Sequence, residues 1–299
     1  MNVLSLFDGI SCGHIALDRA GVTVKNYYAS ELDKYAIKVT QTNYPHTVQL
    51  GDVTKWREWD IDWASIDLLI GGSPCQGFSF AGKQLAFDDP RSALFFTYVD
   101  ILNHIKSLNA DVKFLMENVK MKKEYLAAIS EQLGVEPVFI NSNLVSAQNR
   151  QRFYWTDFGE IAQPEDKGIA LSSIIEDGFA DQLKSYCINA NYFKGGNLKS
   201  YFEKHRRQLI FFIGRGNNPC GFRALDGKAP ALTRCSYEHN NFIASVGGYR
   251  KLTPLECERL QTLPDGYTDQ GISNTQRYKA IGNGWTVDVI AHIFKSWSK

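Results

Sequence analysis

Short apolar runs alternate, through the first half of the chain, with stretches whose apolar residues recur every three to four positions. NVLSLF (2–7) reads as a strand, DGISCG (8–13) as a loop and HIALDRAG (14–21) as a helix. The rhythm repeats: VKNYYAS, the helix LDKYAIKVTQTN, HTVQL, IDLLI, the helix SALFFTYVDILNHIKSL, VKFLM, the helix KEYLAAISEQLG, and EPVFI. Strand and helix in alternation predict an α/β fold, a mostly parallel sheet covered by helices on both faces. After about residue 158 the pattern gives way to irregular Gly/Asn-rich and aromatic sequence, which predicts a second, smaller domain. Helical periodicity returns in TPLECERLQTL and TVDVIAHIFKSW, and no internal repeat is visible.

Composition narrows the class without naming it. The 299 residues are 44% hydrophobic and 22% charged, ordinary for a globular chain with room for a large core. No apolar run approaches the ~18 residues of a membrane span, and MNVLSLFDGI has no basic leader, so a cytoplasmic protein is expected. Six scattered cysteines without a C-x-x-C pair argue against a zinc site and a disulfide framework, so no metal is expected. Net charge is only +1, yet Lys184 to Arg234 holds ten Lys and Arg against two acids. That segment carries +8 and the remainder −7, a footprint for polyanion binding; solvated surface is the plainer reading of such a run. Aromatic and Gly/Asn residues between the charges favour binding.

In an open α/β sheet, ligands bind beyond the carboxyl ends of the strands. Phe7 to Gly13 follow the first strand, Glu31 and Leu32 the second, and Asp52 and Val53 the third. Pro74 and Cys75 follow the fourth, and Glu117 and Asn118 the fifth. All the residues with chemical potential therefore converge on one edge. FDGISCG permits close backbone approach, and an acid 22 residues after Gly9 suits a ribose with free hydroxyls. The Gly9-x-x-x-Gly13 spacing is not G-x-G-x-x-G, which counts against a nicotinamide dinucleotide. Asp52 is either an acceptor for an adenine amine or a helix cap ahead of Thr54. Burial is the commoner fate of a cysteine, but Cys75 stands just past the apolar run, on a turn stiffened by proline. Glu117 ends an apolar stretch, where a carboxylate needs a partner, as hydrogen-bonded structure or as a general acid. Gln148, Arg150 and Arg152 alternate, so in a strand they share one face and form a cationic ridge, either a surface edge or an anion site.

Pro74-Cys75-Gln76, Glu117-Asn118-Val119, Gln148-x-Arg150-x-Arg152, Phe7-x-Gly9-x-x-x-Gly13 and the ending RYKAIGNGWTVDVIAHI stand in one order. With YRKLTPLECERLQTLPDGY before the last of them, this arrangement resembles the cytosine-5 DNA methyltransferases over nearly the whole chain, apart from roughly residues 160–248. The resemblance implies a Rossmann-like S-adenosylmethionine-dependent methyltransferase sheet with a smaller target-recognition domain. It places the catalytic domain at residues 1–172, the target-recognition domain at 173–274 and a returning C-terminal segment at 275–299. It also implies Cys75 as the nucleophile that adds to carbon 6 of cytosine, since carbon 5 is too poor a nucleophile to take a methyl group directly. Glu117 would act at ring N3, and Arg152, supported by Arg150, at the carbonyl oxygen on carbon 2. Asn118 would position the Pro74-Cys75 loop. Phe7, Gly9, Gly13, Glu31, Leu32, Asp52, Val53, Pro74, Leu94 and Asn283 would form the cofactor site.

The partner implied is double-stranded DNA with the target base flipped out, in a bacterial or phage-infected cell where a cognate restriction endonuclease, not bound to this chain, can act on the same site. Trp285 departs from the family, which commonly has an aliphatic residue or proline near this Gly-Asn pair. No regulatory domain precedes residue 1, so a stand-alone enzyme is expected. Two alternatives differ in testable ways. A tRNA cytosine-5 methyltransferase would carry a Cys-Phe-Thr signature, which is absent, though NPCGFRALDG is close in flavour. A catalytically inactive DNA-binding relative would not need Cys75, Glu117 and Arg152 together.

Overall fold

The computed structural model describes residues 1–74, 93–214 and 245–297. Cys75 and the rest of 75–92 lie outside the described residues, as do 215–244. Five strands run parallel or nearly so in the order the alternation predicts: β1 (Asn2–Leu6), β2 (Asn26–Ser30), β3 (Val48–Gln49), β4 (Leu68–Gly71) and β5 (Lys113–Val119). Two more, β6 (Val138–Asn141) and β7 (Gln151–Thr156), complete a seven-stranded sheet of order β3-β2-β1-β4-β5-β7-β6. β7 is antiparallel to both neighbours and lies between β5 and β6.

The continuous apolar runs of the inner strands follow from burial on both faces. Val3, Leu68, Ile70, Leu115 and Tyr154 point to one side, where α1 (Cys12–Ala20), α2 (Lys34–Asn43) and the C-terminal α8 (Val287–Trp297) cover them. Leu4, Leu69, Phe114, Met116 and Trp155, one position along, point to the other, under α3 (Ala93–Leu108) and α4 (Lys123–Leu133). Local chemistry sets the helix ends. Asp33 caps α2 by accepting from Tyr35 N, and Gly21 closes α1 in the left-handed region at φ +75°.

Beyond the sheet stand α5 (Leu198–Lys204) and a two-stranded ribbon, β8 (Leu209–Gly214) with β9 (Ser245–Lys251). Tyr201, Leu209 and Phe211 form a small apolar cluster of their own there. The segment from Leu252 to residue 274, grouped with the second domain on sequence, also packs on the sheet. Leu252, Cys257, Leu260, Leu263 and Tyr267 join the cluster on the α1 face of the sheet, and Tyr267 donates to Ile10 O at 2.8 Å. The helix in this segment, α6 (Pro254–Leu260), starts on a capping box between Thr253 and Glu256. It leads to α7 (Asn274–Asn283), whose Tyr278 and Ile281 share that cluster.

Candidate active site

The loop after β1 is shaped by three left-handed residues in five, Phe7 (φ +56°), Gly9 (φ +62°) and Ser11 (φ +55°). Two of these are not glycine, a conformation that costs energy and persists only where the surroundings hold it. Asp8 supplies part of that hold, accepting from Ser11 Oγ and from Tyr27 OH, while burial pushes its carboxyl above the usual range. Glu31, at the end of β2, supplies the rest. Its Oε2 accepts from Gly9 N at 2.8 Å, and its Oε1 from Leu32 N and Asp33 N at 2.7 and 2.8 Å.

Around this loop the expected cofactor residues take different positions. Leu32 is 70% exposed and Asn283 is exposed at the end of α7, whereas Phe7, Pro74 and Leu94 are half-buried. Val53 is buried in the α3 face of the core. Asp52 is a helix cap, its Oδ1 accepting from both Thr54 N and Thr54 Oγ1, and those bonds hold its carboxyl below the usual range. Gly13 lies buried inside α1, where a Cβ would come within 2.4 Å of Ile70 Cδ1. Its lack of a side chain serves the close approach of α1 to β4.

The catalytic candidates meet at the ends of β4, β5 and β7. β5 runs further than its apolar stretch suggests, so Glu117 and Asn118 lie inside the strand, paired with Tyr154 and Phe153. Because β7 is antiparallel, its first residues reach the carboxyl edge, and Arg152 sits opposite Val119. Glu117 is therefore a diagonal neighbour of Arg152, and Arg152 Nε lies 2.7 Å from Glu117 Oε1. Glu117 is 8% exposed, and its other oxygen accepts from the indole N–H of Trp285 at 3.2 Å. Asn118 Nδ2 donates to Ser73 Oγ at 3.3 Å, tying β5 to the residues that lead into Pro74 and Cys75.

The alternating Gln148, Arg150 and Arg152 do not form an exposed ridge. The strand begins only at Gln151, and the first two side chains turn inward. Gln148 is fully buried and donates to Leu260 O and Gln261 Oε1. Arg150, 5% exposed, donates to Ile188 O and Gly284 O at 2.9 Å each and to Gly282 O at 3.5 Å. A guanidinium can satisfy three carbonyls in a fixed fork, so Arg150 joins β7 to Ile188 and to the Gly-Asn-Gly-Trp turn.

Two residues enter the site without having been assigned to it. Trp285 stood out only as a departure from family pattern, and Cys187 gave no signal. Burial alone would raise the Cys187 thiol, but the guanidinium groups of Arg150 and Arg152 outweigh it and hold the thiol below its ordinary value. Burial pushes the Cys12 thiol up to about 12 and that of Cys257 well above normal, so neither is poised to ionise.

The basic segment is also uneven. Lys184 places its ammonium on three carbonyls, Asn143 O, Ser146 O and Ile169 O, and burial lowers its proton affinity. Arg207 donates to Gly195 O. Lys194, Lys199, Lys204 and Arg206 are exposed, and Arg215, Arg223, Lys228 and Arg234 lie outside the described residues. Among the described residues no group of three or more His, Cys, Asp and Glu could hold a metal ion, and no helix is long and apolar enough to cross a membrane.

The family model of the C-5 cytosine-specific DNA methylases matches residues 1–299. The chain belongs to that family. It is 30% identical to the Type II methyltransferase M1.ScrFI of Lactococcus lactis subsp. cremoris, covering 96% of this chain and 75% of that one. Against the Type II methyltransferase M.HhaI of Haemophilus parahaemolyticus the identity is 28%, covering 98% and 93%. In fold it is similar to the Entamoeba histolytica methyltransferase EhMeth, with a TM-score of 0.69 at 16% identity over 99% of this chain and 97% of that one. A putative DNA modification methyltransferase from an Escherichia coli prophage gives a TM-score of 0.60 at 19% identity, over 100% and 98%. This member of the family is a DNA cytosine-5 methyltransferase that uses S-adenosylmethionine.

The residues present fit that cofactor. A Cβ on Gly9 would meet nothing within 4 Å, so the loop borders open space. Facing the same sheet edge are a carboxylate for ribose hydroxyls (Glu31), an exposed apolar side chain for a base ring (Leu32), and Asp52. The cap engages only Oδ1 of Asp52, and Oδ2 has no hydrogen bond among the described residues.

Proposed function

We propose that methylation proceeds through a covalent adduct between Cys75 and carbon 6 of a cytosine flipped out of duplex DNA. The observation that carries this reading is the Glu117–Arg152 pair at 2.7 Å, on the sheet edge from which Ser73 and Pro74 lead to Cys75. The Cys75 sulfur forms a bond to carbon 6, while Glu117 hydrogen-bonds to or protonates ring N3 and draws off charge as the sulfur adds. Arg152 both orients Glu117 and places a guanidinium beside the carbonyl oxygen on carbon 2. Carbon 5 thereby becomes nucleophilic. Phe7, Gly9, Glu31, Leu32, Asp52 and Asn283 would hold S-adenosylmethionine, which would supply the methyl group as an electrophilic sulfonium carbon. Loss of the carbon 5 proton then expels the Cys75 thiolate. Asn118 holds the Pro74-Cys75 loop through Ser73, and Arg150 acts as a support.

Wild-type protein incubated with S-adenosylmethionine and genomic DNA should deposit 5-methylcytosine in one sequence context. A duplex carrying 5-fluorocytosine at that position should capture the enzyme as an adduct that survives denaturation, because fluorine cannot leave as a cation. Methylation without capture would exclude the covalent route. Capture on tRNA in preference to DNA would exclude DNA as the substrate.

The region around 173–274 holds the duplex and reads the bases beside the target, and the enzyme works in the cytoplasm, where a restriction endonuclease can share its site. Lys204 and Arg206 are the exposed basic pair following α5 and at its end. Replacing both by alanine should weaken DNA binding and flatten its dependence on salt by roughly 0.9 units of slope per lost phosphate contact. An unchanged slope would make this pair solvated surface.

A further inference from the structure

Both oxygens of the Glu117 carboxylate are engaged: Oε1 in an ion pair with the Arg152 guanidinium at 2.7 Å, and Oε2 as acceptor of the Trp285 indole N–H at 3.2 Å. Arg152 is half of a pair that a family resemblance brings forward, but Trp285 is not. The indole is held by its surroundings rather than by chance contact. Its backbone follows Gly284, whose carbonyl accepts from Arg150 at 2.9 Å and from Gln261 Nε2 at 3.1 Å. Gln261 also donates to Ile281 O at 2.9 Å and accepts from Thr286 Oγ1 at 2.8 Å, so the turn is clamped on both sides of Trp285.

The ring itself spans two parts of the site. One edge approaches Gly13 in α1, where a Cβ would stand 3.5 Å from Trp285 Cζ3. Its N–H lies over Gly72, where a Cβ would come within 3.2 Å of Trp285 Nε1 and 2.9 Å of Glu117 Oε2. Gly72 is thus bare beneath the Glu117–Trp285 pair, three residues before Cys75. A side chain there would push the carboxyl away from its place.

We propose that Trp285 is a positioning residue for Glu117, its indole N–H fixing Oε2 so that the carboxyl meets the cytosine edge in one orientation. The inference rests on Glu117 acting at ring N3. Arg152 alone would leave the carboxyl free to pivot about Oε1. The indole closes that freedom by taking one lone pair of Oε2, and it leaves the oxygen's other position for the proton that the carboxyl presents to ring N3. A residue with no N–H on its side chain would have no donor to offer at this position.

Trp285→Phe keeps an aromatic body against Gly13 and removes the N–H. Loss of one hydrogen bond to a charged group is expected to lower kcat roughly tenfold. KM for S-adenosylmethionine should stay within about twofold, and capture on the 5-fluorocytosine duplex should slow by the same factor as kcat. In a Glu117→Gln background the same change should add less than about twofold, because its effect passes through the carboxylate. An unchanged kcat overturns the proposal. So does a raised cofactor KM with kcat intact, which would make Trp285 a wall of the cofactor site. Multiplicative losses in the double variant overturn it as well. If Trp285→Phe does not fold, the benzothienyl analogue of tryptophan, installed at 285 by amber suppression, removes only the N–H and carries the same expectations. Full activity in Glu117→Gln would instead sink the reading of Glu117 itself, an outcome distinct from slow Glu117→Gln beside a normal Trp285→Phe.

Discussion

Cys75→Ser is expected to leave DNA unmethylated and to form no adduct with a 5-fluorocytosine duplex, while still binding that duplex. A serine hydroxyl stays protonated near neutral pH and is a far weaker nucleophile than a thiolate, so carbon 6 is not attacked. Glu117→Gln should retain slow capture, down by roughly 10²–10⁴-fold, the range of a lost general acid, since Gln can hydrogen-bond but has no proton to give to N3. The structure adds the decisive control. Among the described cysteines, Cys187 alone has a thiol held below its ordinary value, beside Arg150 and Arg152. It is the rival nucleophile that sequence motifs do not reveal. Cys187→Ser and Cys12→Ser should both be captured like wild type. Capture that persists in Cys75→Ser and vanishes in Cys187→Ser would move the covalent step to the other thiol.

Arg150→Met should cost about 3–5 kcal/mol of stability, on the order of 10 °C in thermal midpoint for a chain of this size. The methionine can fill much of the volume, but Ile188 O and Gly282 O lose the guanidinium while buried, at a desolvation penalty, and Gly284 O keeps Gln261 Nε2 as its donor. Arg150→Lys should fare only slightly better, because a compact ammonium cannot span three carbonyls that a planar fork reaches. Activity well below the midpoint should also fall, as the turn carrying Asn283 and Trp285 loosens. Calorimetric unfolding measures the first effect directly. A variant melting within about 2 °C of wild type would show that Arg150 is not the clamp described.

These two expectations draw on different levels of the molecule. The assignment of Cys75 needs no coordinates, as that residue lies outside the described segments and is placed by its Pro-Cys-Gln setting alone. The assignment of Arg150 changed with the fold. An alternating Gln-x-Arg-x-Arg predicts one shared face only if all three residues lie in a strand, and here the strand starts between the arginines. Similarly, TPLECERLQTL showed its helix and cap in sequence. That its apolar side would join the sheet's cluster depended on which surface remained uncovered.

What the sequence determined by itself was local: alternating strands and helices, with most of the candidate residues gathered at the carboxyl ends of the strands. Period-2 and period-3.6 patterns are properties of neighbouring residues, and the ends of parallel strands all face one edge. The tertiary structure alone decided which distant groups touch. Placing β7 antiparallel between β5 and β6 sets Arg152 against Glu117, only 35 positions apart but on opposite sides of an intervening helix and strand. Returning α7 and α8 to the sheet brings Trp285 to the same carboxylate across 168 residues. Such contacts follow from how two faces of a sheet are covered and how the chain returns, and no short-range pattern encodes them.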